Sequence, residues 1–172
     1  LDDESLFGDG FILAGLQGME DPIRPEVLES IKTAQESGIR VVMITGDHID
    51  TAVSIGRQLG LDPEEVGALE GKTLDQLSDK ELEHRLGDIN IFARVTPEHK
   101  FRIVDRLKEM GNIVAVTGDG VNDAPALKKA DIGVAMGKRG TDAARQIADM
   151  VLLDDAFTSI VTAVKYGRII FD

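Results

Sequence analysis

Residues 114–127 read Val-Ala-Val-Thr-Gly-Asp-Gly-Val-Asn-Asp-Ala-Pro-Ala-Leu, and this stretch predicts a strand, an active-site loop and a helix. The run over 113–116 is short, apolar and rich in β-branched residues, which is typical of a buried parallel strand. Two glycines then let the chain turn. Asn122 or Asp123 can cap the helix that follows, with Pro125 tolerated in its first turn.

Two carboxylates in this stretch can face one point. Asp119 lies on the loop, and Asp123 follows four residues later at the start of the helix. In open α/β sheets, ligands bind in the crevice beyond the carboxyl ends of the strands. Paired aspartates there suit Mg²⁺, a hard cation that keeps waters and takes phosphate oxygens as its other ligands. An ordinary surface turn is the alternative, but the surrounding strand, loop and helix favour the metal site.

The composition limits the classes of protein to which the chain can belong. A length of 172 residues fits one domain with a substantial core. The net charge of -12 argues against binding of nucleic acid, which needs clustered lysine and arginine. The absence of cysteine excludes disulfides and thiolate metal sites. No stretch approaches the roughly 20 apolar residues that span a bilayer, so we expect these residues to be soluble.

Extended and helical patterns alternate along the chain. The predicted strands cover 11–19, 40–45, 89–93, 113–116, 132–135 and 150–153, and the predicted helices cover 26–37, 50–59, 79–86, 97–110, 141–148 and the residues from 156 onward. Such alternation predicts an α/β fold with a parallel sheet, flanking helices and right-handed crossovers.

Two further groups of residues lie where ligands of such a sheet bind. Thr45-Gly46-Asp47 follows a predicted strand, where a hydroxyl and backbone amides can bind a phosphoryl oxygen. Lys100 opens a predicted helix, where its ammonium can neutralise a phosphoryl group. Taken alone, each has a simpler alternative, a strand-end turn or a solvated lysine. The position of Lys100 in the βα unit before the metal loop favours a functional role.

Two other patterns carry little functional information. Residues 70–73, Glu-Gly-Lys-Thr, resemble the end of a phosphate-binding P-loop, but Val66 stands where that motif needs its first glycine. We therefore predict a turn there. His48, His84 and His99 have no spacing typical of a zinc site, and we expect exposed positions at helix starts or on helix faces.

Three segments together resemble the motifs of a known family. Residues 43–47 (Met-Ile-Thr-Gly-Asp), Lys100 within Thr-Pro-Glu-His-Lys, and residues 117–127 are similar to the second, third and fourth motifs of the haloacid dehalogenase superfamily. More narrowly, they resemble the phosphorylation domain of P-type ATPases. The likeness implies a Rossmann-like haloacid dehalogenase fold over residues 1–172 that works with Mg²⁺ and ATP.

The resemblance extends over nearly the whole chain. Residues 18–25 resemble the hinge that returns from the nucleotide-binding domain, which makes 1–19 the lead-in from that domain. Residues 135–142 and 148–155 are similar to type II cation pumps, the calcium and sodium/potassium branch. By the same likeness, residues 156–172 would begin the stalk helix.

The resemblance also implies roles for the residues of the metal loop. Asp119 would bind Mg²⁺ directly, and Asp123 would position the site through a Mg²⁺-bound water or through a bond to Lys100. Lys100 would stabilise the charge of the transferring phosphoryl group. Asn122 would hydrogen-bond the phosphate or the aspartyl group. Gly120 would be one of the residues that bind the cofactor.

At the other strand end, Thr45 and Gly46 would hold the γ-phosphoryl group of ATP. Asp47 and Arg94 would lie near the nucleotide or the domain hinge. The implied chemistry is phosphoryl transfer from ATP to an aspartate, in which the protein contributes mainly positioning and charge compensation.

The chain departs from this family in one respect. The phosphorylated aspartate of the family lies in a strand ending Asp-Lys-Thr-Gly-Thr, and no such segment occurs in these residues. We therefore expect a fragment of a larger pump, with a sheet that lacks the nucleophile strand unless another segment or chain supplies it. Its partners would be the nucleotide-binding, actuator and transmembrane domains, at the cytoplasmic face of a membrane that it reaches only through absent segments.

Two alternatives belong to other classes of protein. A soluble phosphatase of the same superfamily shares the loop but needs an Asp-x-Asp strand near its start, and residues 1–10 contain none after an apolar run. A non-catalytic interaction module predicts no Mg²⁺-dependent binding of phosphate analogues once the missing strand is restored, whereas a pump predicts binding that Asp119→Ala abolishes.

We predict that the isolated 172 residues form no phosphoenzyme, because the sequence contains no Asp-Lys-Thr-Gly-Thr strand. The measurement is incubation with Mg²⁺ and ATP labelled on its γ-phosphate, followed by acid precipitation. Label retained on the precipitated protein would contradict the prediction.

Overall fold

The computed structural model describes residues 14–18, 22–61 and 67–171, and its strands form two parallel sheets. The strands are β1 (Met43–Ile44), β2 (Ala68–Glu70), β3 (Ile91–Ala93), β4 (Ala115–Gly118), β5 (Ile132–Met136) and β6 (Met150–Leu152). The helices are α1 (Pro25–Glu36), α2 (Ile49–Gln58), α3 (Gly71–Leu74), α4 (Asp79–Leu86), α5 (Pro97–Glu109), α6 (Ala124–Lys129), α7 (Asp142–Ile147) and α8 (Phe157–Phe171). A 3₁₀ turn, Val121–Asp123, leads into α6.

The two sheets divide the chain into an earlier and a later half. The first sheet has the strand order β1-β3-β2, with Phe92 of β3 between Ile44 and Leu69. The second has the order β4-β5-β6, with Ala135 of β5 between Gly118 and Val151. Parallel pairing follows from the helices that connect successive strands. The prediction of a parallel α/β fold flanked by helices is confirmed.

Each sheet has its own apolar core. Phe92 is 0% exposed and packs among side chains from α3, α4 and α5: Leu74, Leu82, Leu86 and Ile103. On the second sheet, Leu127, Ala135 and Ala144 form a smaller cluster between α6, β5 and α7. Burial of these side chains fixes the helices against the sheets.

Local sequence explains where two of the helices begin. Ser78 caps α4 and forms a reciprocal capping box with Glu81, and Thr96 does the same for α5 with His99. Pro97 occupies the first helical position of α5, where no backbone donor is needed. The predicted helices 79–86 and 97–110 are therefore confirmed to within one residue.

Several predicted strand boundaries are wrong. Of the predicted strand 11–19, the described residues 14–18 form no strand, and the rest lies outside the described residues. The strand predicted over 40–45 is only Met43–Ile44. The turn predicted over 70–73 is instead the end of β2 and the start of α3, because Leu69 and Leu74 are buried in the first core.

The strand that was expected to be buried, β4, is largely exposed. Ala115 and Thr117 are exposed, and Ile113 just before the strand is 82% exposed. Among the described residues, β4 pairs only with β5, and β1 pairs only with β3. Among the described strands, β1 and β4 are therefore edge strands of their sheets, as are β2 and β6. β1 and β4 are the edge strands that end at the two predicted phosphate-binding segments. Within the described ranges, no helix has the length and apolarity needed to cross a membrane.

Phe92→Ala should lower the free energy of unfolding by about 3–5 kcal/mol, because it leaves a cavity in a fully buried site. Urea denaturation followed by circular dichroism measures the loss. The matched control is Phe171→Ala, at a side chain that is 92% exposed, which should change stability by less than about 0.5 kcal/mol. Equal losses in the two variants would contradict the assignment of the core.

Candidate functional site

Asp123 connects the parts of the predicted site. It is 8% exposed, and its Oδ1 accepts a hydrogen bond of 2.6 Å from the Lys100 ammonium. Its Oδ2 accepts from the backbone N–H groups of Asp119 and Gly120, each at 3.2 Å. The 3₁₀ turn carries the side chain back over the loop, so this carboxylate joins α5, the loop and α6.

Gly118 makes this arrangement possible. A Cβ at that position would lie 2.4 Å from the Asp123 Cβ and 2.8 Å from its Cγ. Any side chain at residue 118 would therefore push Asp123 away from the loop amides. This close approach is a stronger requirement than the turn geometry that the sequence suggests.

Lys100 reaches Asp123 from the first turn of α5. The two side chains are mostly buried, with 23% of Lys100 and 12% of Asp123 exposed. The backbone N–H of Lys100 donates to the Thr96 carbonyl at 3.1 Å, so the N-cap residue Thr96 fixes the position of Lys100. A partly buried ion pair is costly to break, because removal of one partner leaves the other charge uncompensated. The bond to Lys100, one of the two roles that the resemblance offers Asp123, is present.

Asp119 has a free carboxylate at the centre of the loop. Its backbone is bound on both sides, since its N–H donates to Asp123 and its carbonyl accepts from the Thr141 N–H at 2.8 Å. Its side chain is exposed and has no hydrogen-bond or ion-pair partner within the described part of the chain. Both Asp123 oxygens are already engaged, so Asp119 is the carboxylate that remains available.

This donor set fits Mg²⁺ in one specific way. Mg²⁺ is commonly held by one or two carboxylates, with waters and substrate phosphate oxygens completing its shell. One free carboxylate meets that requirement, whereas no group of three His, Cys, Asp or Glu residues that could hold a metal occurs among the described residues. Asp119 is thus suited to direct ligation and Asp123 to support of the loop.

A second loop, residues 137–140, supports the site from behind. Its backbone N–H groups at Lys138 and Arg139 donate to the Asp155 carboxylate at 2.9 and 3.0 Å. The Arg145 guanidinium donates to the carbonyls of Gly137 and Gly140. Because Thr141 follows directly and its N–H donates to the Asp119 carbonyl, these bonds fix the loop against the segment that carries Asp119. Residue patterns alone indicate no role for Asp155, Arg145 or Thr141.

Thr45, Gly46 and Asp47 form a separate cluster at the end of β1. The Thr45 hydroxyl donates to the Asp47 carboxylate at 2.8 Å and accepts from the Asp47 N–H at 3.1 Å. The Arg94 N–H donates to the Asp47 carbonyl at 2.9 Å, and Arg94 has a positive φ of 48°. Gly46 is exposed, with no atom within 4 Å of a Cβ built there.

The structure thus brings together Lys100, Asp119, Gly120 and Asp123, and it groups Arg94 with the Thr45–Asp47 turn. Within the described residues, no hydrogen bond or ion pair joins the two clusters. Asn122 is exposed beside the first cluster. His48 and His84 are exposed as expected, but the expectation for His99 is wrong, because its ring is a buried part of the α5 cap.

The fold and this site define a class of protein. A family model described as haloacid dehalogenase-like hydrolase matches residues 2–131, and a second model with the same description matches residues 100–164. The chain therefore belongs to the haloacid dehalogenase-like hydrolase family.

Within that class, the chain is similar to P-type ATPases. It is 52% identical over 160 residues to a calcium-transporting ATPase of Bacillus subtilis. The aligned residues cover 93% of this chain and 18% of that protein. It is 48% identical over 157 residues to human calcium-transporting ATPase type 2C member 2, covering 91% and 17% of the two chains. The chain thus spans less than a fifth of the length of these relatives.

A solved structure of a zinc-transporting PIB-type ATPase aligns with a TM-score of 0.66 and 29% identity, over 87% of this chain and 20% of the other. The predicted resemblance to P-type cation-transporting ATPases is confirmed by these comparisons.

The Asp155 carboxylate should make the thermal stability of the chain depend on pH in the acidic range. Hydrogen bonds from the backbone N–H of Lys138, and then of Arg139, hold the pKa of Asp155 below its ordinary value of 3.8. Because the folded pKa is lowered, the stabilisation is present above the ordinary value and is lost as pH falls below it. Asp155→Asn should therefore lower Tm near neutral pH, and its difference from the wild type should shrink below about pH 4.

Thermal melts from pH 3 to pH 7 measure this difference. Glu29→Gln is the control, because it removes a carboxylate that is exposed on α1. A Tm difference for Asp155→Asn that stays constant over the whole range would contradict the assignment.

Proposed function

We propose that this chain is the phosphorylation-domain part of an ATP-driven cation pump. In this proposal its residues hold Mg²⁺ and the γ-phosphoryl group of ATP, and an aspartate that these 172 residues do not include accepts that group. The observation that carries the proposal is the Asp123 carboxylate, bound to Lys100 and to two loop amides beside the free Asp119. The similarity to calcium-transporting ATPases supports it.

The reaction requires charge compensation at a fixed point. A carboxylate oxygen of the acceptor aspartate attacks the γ-phosphorus, the bond to the bridging oxygen breaks, and ADP leaves with that electron pair. Negative charge is spread over the three equatorial oxygens during the transfer. Asp119 is the residue that would hold Mg²⁺, and the chemistry that the ion would supply is compensation of this negative charge. The Lys100 ammonium supplies a second positive charge, and Asp123 holds it in place.

Thr45 and Gly46 fit the role of holding a phosphoryl oxygen. Asp47 and the Thr45 hydroxyl bind each other, which fixes the turn at the end of β1. The exposed Gly46 leaves room for close approach of a phosphate to the backbone. The hydrogen bond from Arg94 to the Asp47 carbonyl supports a place for both residues at the nucleotide side of the site. Asn122, exposed beside the loop, is available for a hydrogen bond to the phosphate.

The acceptor aspartate belongs, in this proposal, on a strand between β1 and β4. Each of these strands has an unpaired parallel edge within the described residues, and the exposed apolar Ile113 lies beside β4. A parallel strand there would join both sheets and end between the Thr45 turn and the Asp119 loop. Such a strand would also cover the surface that leaves β4 exposed.

The two ends of the chain connect, in this proposal, to the remaining parts of the pump. We assign residues 1–19 to the lead-in from a nucleotide-binding domain and 156–172 to the start of a stalk helix, on the cytoplasmic side of a membrane. Apolar side chains near the end of α8 support a contact between this helix and another part of the pump. Ile169, Ile170 and Phe171 are 61%, 77% and 92% exposed. The actuator and transmembrane domains would be the other partners.

Asp119→Ala should weaken Mg²⁺ binding by at least about tenfold, because it removes the free carboxylate of the site. Titration of the 172-residue chain with MgCl₂, followed through the backbone amide NMR signals of residues 119–123, measures the affinity. Asp50→Ala is the matched control, since that carboxylate is 90% exposed on α2.

The same titration with inorganic phosphate added tests the second half of the site. Binding of phosphate should require Mg²⁺ and should fall in Lys100→Ala, because an opposing charge is lost. Equal Mg²⁺ affinities in the Asp119 and Asp50 variants, or phosphate binding that is independent of Mg²⁺, would refute the proposal.

A further inference from the structure

His99 lies in the first turn of α5, one residue before Lys100, and it is 8% exposed. Both nitrogens of its ring have partners. Nδ1 accepts a hydrogen bond of 3.1 Å from the Thr96 N–H, and Nε2 lies 2.7 Å from Oδ1 of Asp75. A nitrogen that accepts carries no hydrogen, so the Nε2–H tautomer is the one that satisfies both contacts, with Nε2 donating to Asp75.

The ring is also held by packing. A Cβ on Gly71 would lie 2.9 Å from the His99 Nδ1 and 3.0 Å from its Cε1. The backbone at the start of α3 therefore packs against the ring. Asp75, which follows the end of α3, binds the opposite nitrogen. The segment 71–75 thus fixes the histidine by both contact and hydrogen bond.

The ring in turn fixes the turn from which Lys100 projects. Thr96 Oγ1 accepts from the His99 N–H at 3.4 Å. Together with the bond from the Thr96 N–H to the ring, this bond forms a capping box. The Thr96 carbonyl accepts from the Lys100 N–H at 3.1 Å. From this turn, the Lys100 ammonium reaches Asp123 at 2.6 Å. Continuous contacts therefore run from Asp75 through His99 and Thr96 to Lys100.

We propose that His99 is a positioning residue for Lys100. The bonds from His99 to Asp75 and Thr96 hold the first turn of α5 in the orientation that places the ammonium on Asp123. The effect on the ammonium stands on the geometry alone, whereas the effect on phosphate binding rests on the proposed function. This role gives a reason for a buried histidine in a place where an ordinary cap would suffice.

Substitutions at residue 99 separate this role from simple capping. Glutamine can reproduce both bonds, because its amide oxygen can accept from Thr96 and its amide nitrogen can donate to Asp75. Glutamate can accept from Thr96 but places a second negative charge beside Asp75. Alanine makes neither bond. Asp75→Asn provides a second test, since its amide oxygen can still accept from the ring, whereas Asp75→Ala removes the contact.

The direct measurement is the side-chain NMR signal of the Lys100 ammonium in the 172-residue chain, which sharpens when the group is held in an ion pair. Ser78→Ala is the matched control, because it removes the equivalent capping box of α4, whose side-chain bonds join Ser78 to Glu81 and not to Asp75, His99 or Lys100. The second measurement is the Mg²⁺-dependent binding of inorganic phosphate.

We expect His99→Ala, His99→Glu and Asp75→Ala to broaden the Lys100 signal and to weaken phosphate binding by about tenfold. His99→Gln and Asp75→Asn should stay within about twofold of the wild type. Ser78→Ala should lower the melting temperature but leave the Lys100 signal unchanged. A wild-type Lys100 signal in His99→Ala, or a glutamate variant equal to the glutamine variant, would overturn the proposal.

Failure of the proposed function is distinguishable from failure of this inference. If the wild-type chain binds no phosphate in the presence of Mg²⁺, the phosphoryl-transfer role fails, while the Lys100 signal still decides whether His99 positions it. Conversely, Asp119→Ala should abolish phosphate binding and leave the Lys100 signal unchanged, because Asp119 contributes only its backbone to Asp123.

Discussion

The contact between the Lys100 ammonium and the Asp123 carboxylate holds the candidate site together. One oxygen of Asp123 binds a residue of α5, and the other binds two amides of the loop that follows β4. Loss of either partner would leave a mostly buried charge without compensation, which is much more costly than loss of a surface ion pair. The glycine at residue 118 is required because only a residue without a side chain lets this carboxylate approach the loop so closely.

This contact matters more because the two sheets have separate cores. Phe92 anchors the first core and Leu127 the second, and the described strands of the two sheets do not pair with each other. Lys100 follows a strand of the first sheet, whereas Asp123 follows a strand of the second. The ion pair therefore connects the halves at the end where ligands of parallel sheets bind.

Residue patterns predict the parts of this structure that depend on local interactions. The helices over 79–86 and 97–110 could be predicted because their caps and apolar spacing lie within a few neighbouring residues. The strand β2 and helix α3 could not, because elements of three and four residues have too little periodicity. Burial of His99 was missed, since histidine is not the usual partner of a threonine cap and Asp75 is distant in sequence. The contacts of Asp155 were missed because its hydrogen bonds come from backbone N–H groups, which nearly every residue carries, and because Arg139, which also forms an ion pair with it, is distant in sequence.

Asp119 has an exposed side chain on a backbone that is bound on both sides. The N–H of Asp119 donates to Asp123, and its carbonyl accepts from Thr141, which follows the loop that Asp155 and Arg145 hold. The carboxylate of Asp119 is consequently free while its Cα is fixed. A protein side chain on a mobile backbone loses both backbone and side-chain entropy when it binds an ion. A side chain on a fixed backbone loses only its side-chain freedom. The hydrogen bonds around Asp119 would therefore favour binding of the proposed cation without contacting it.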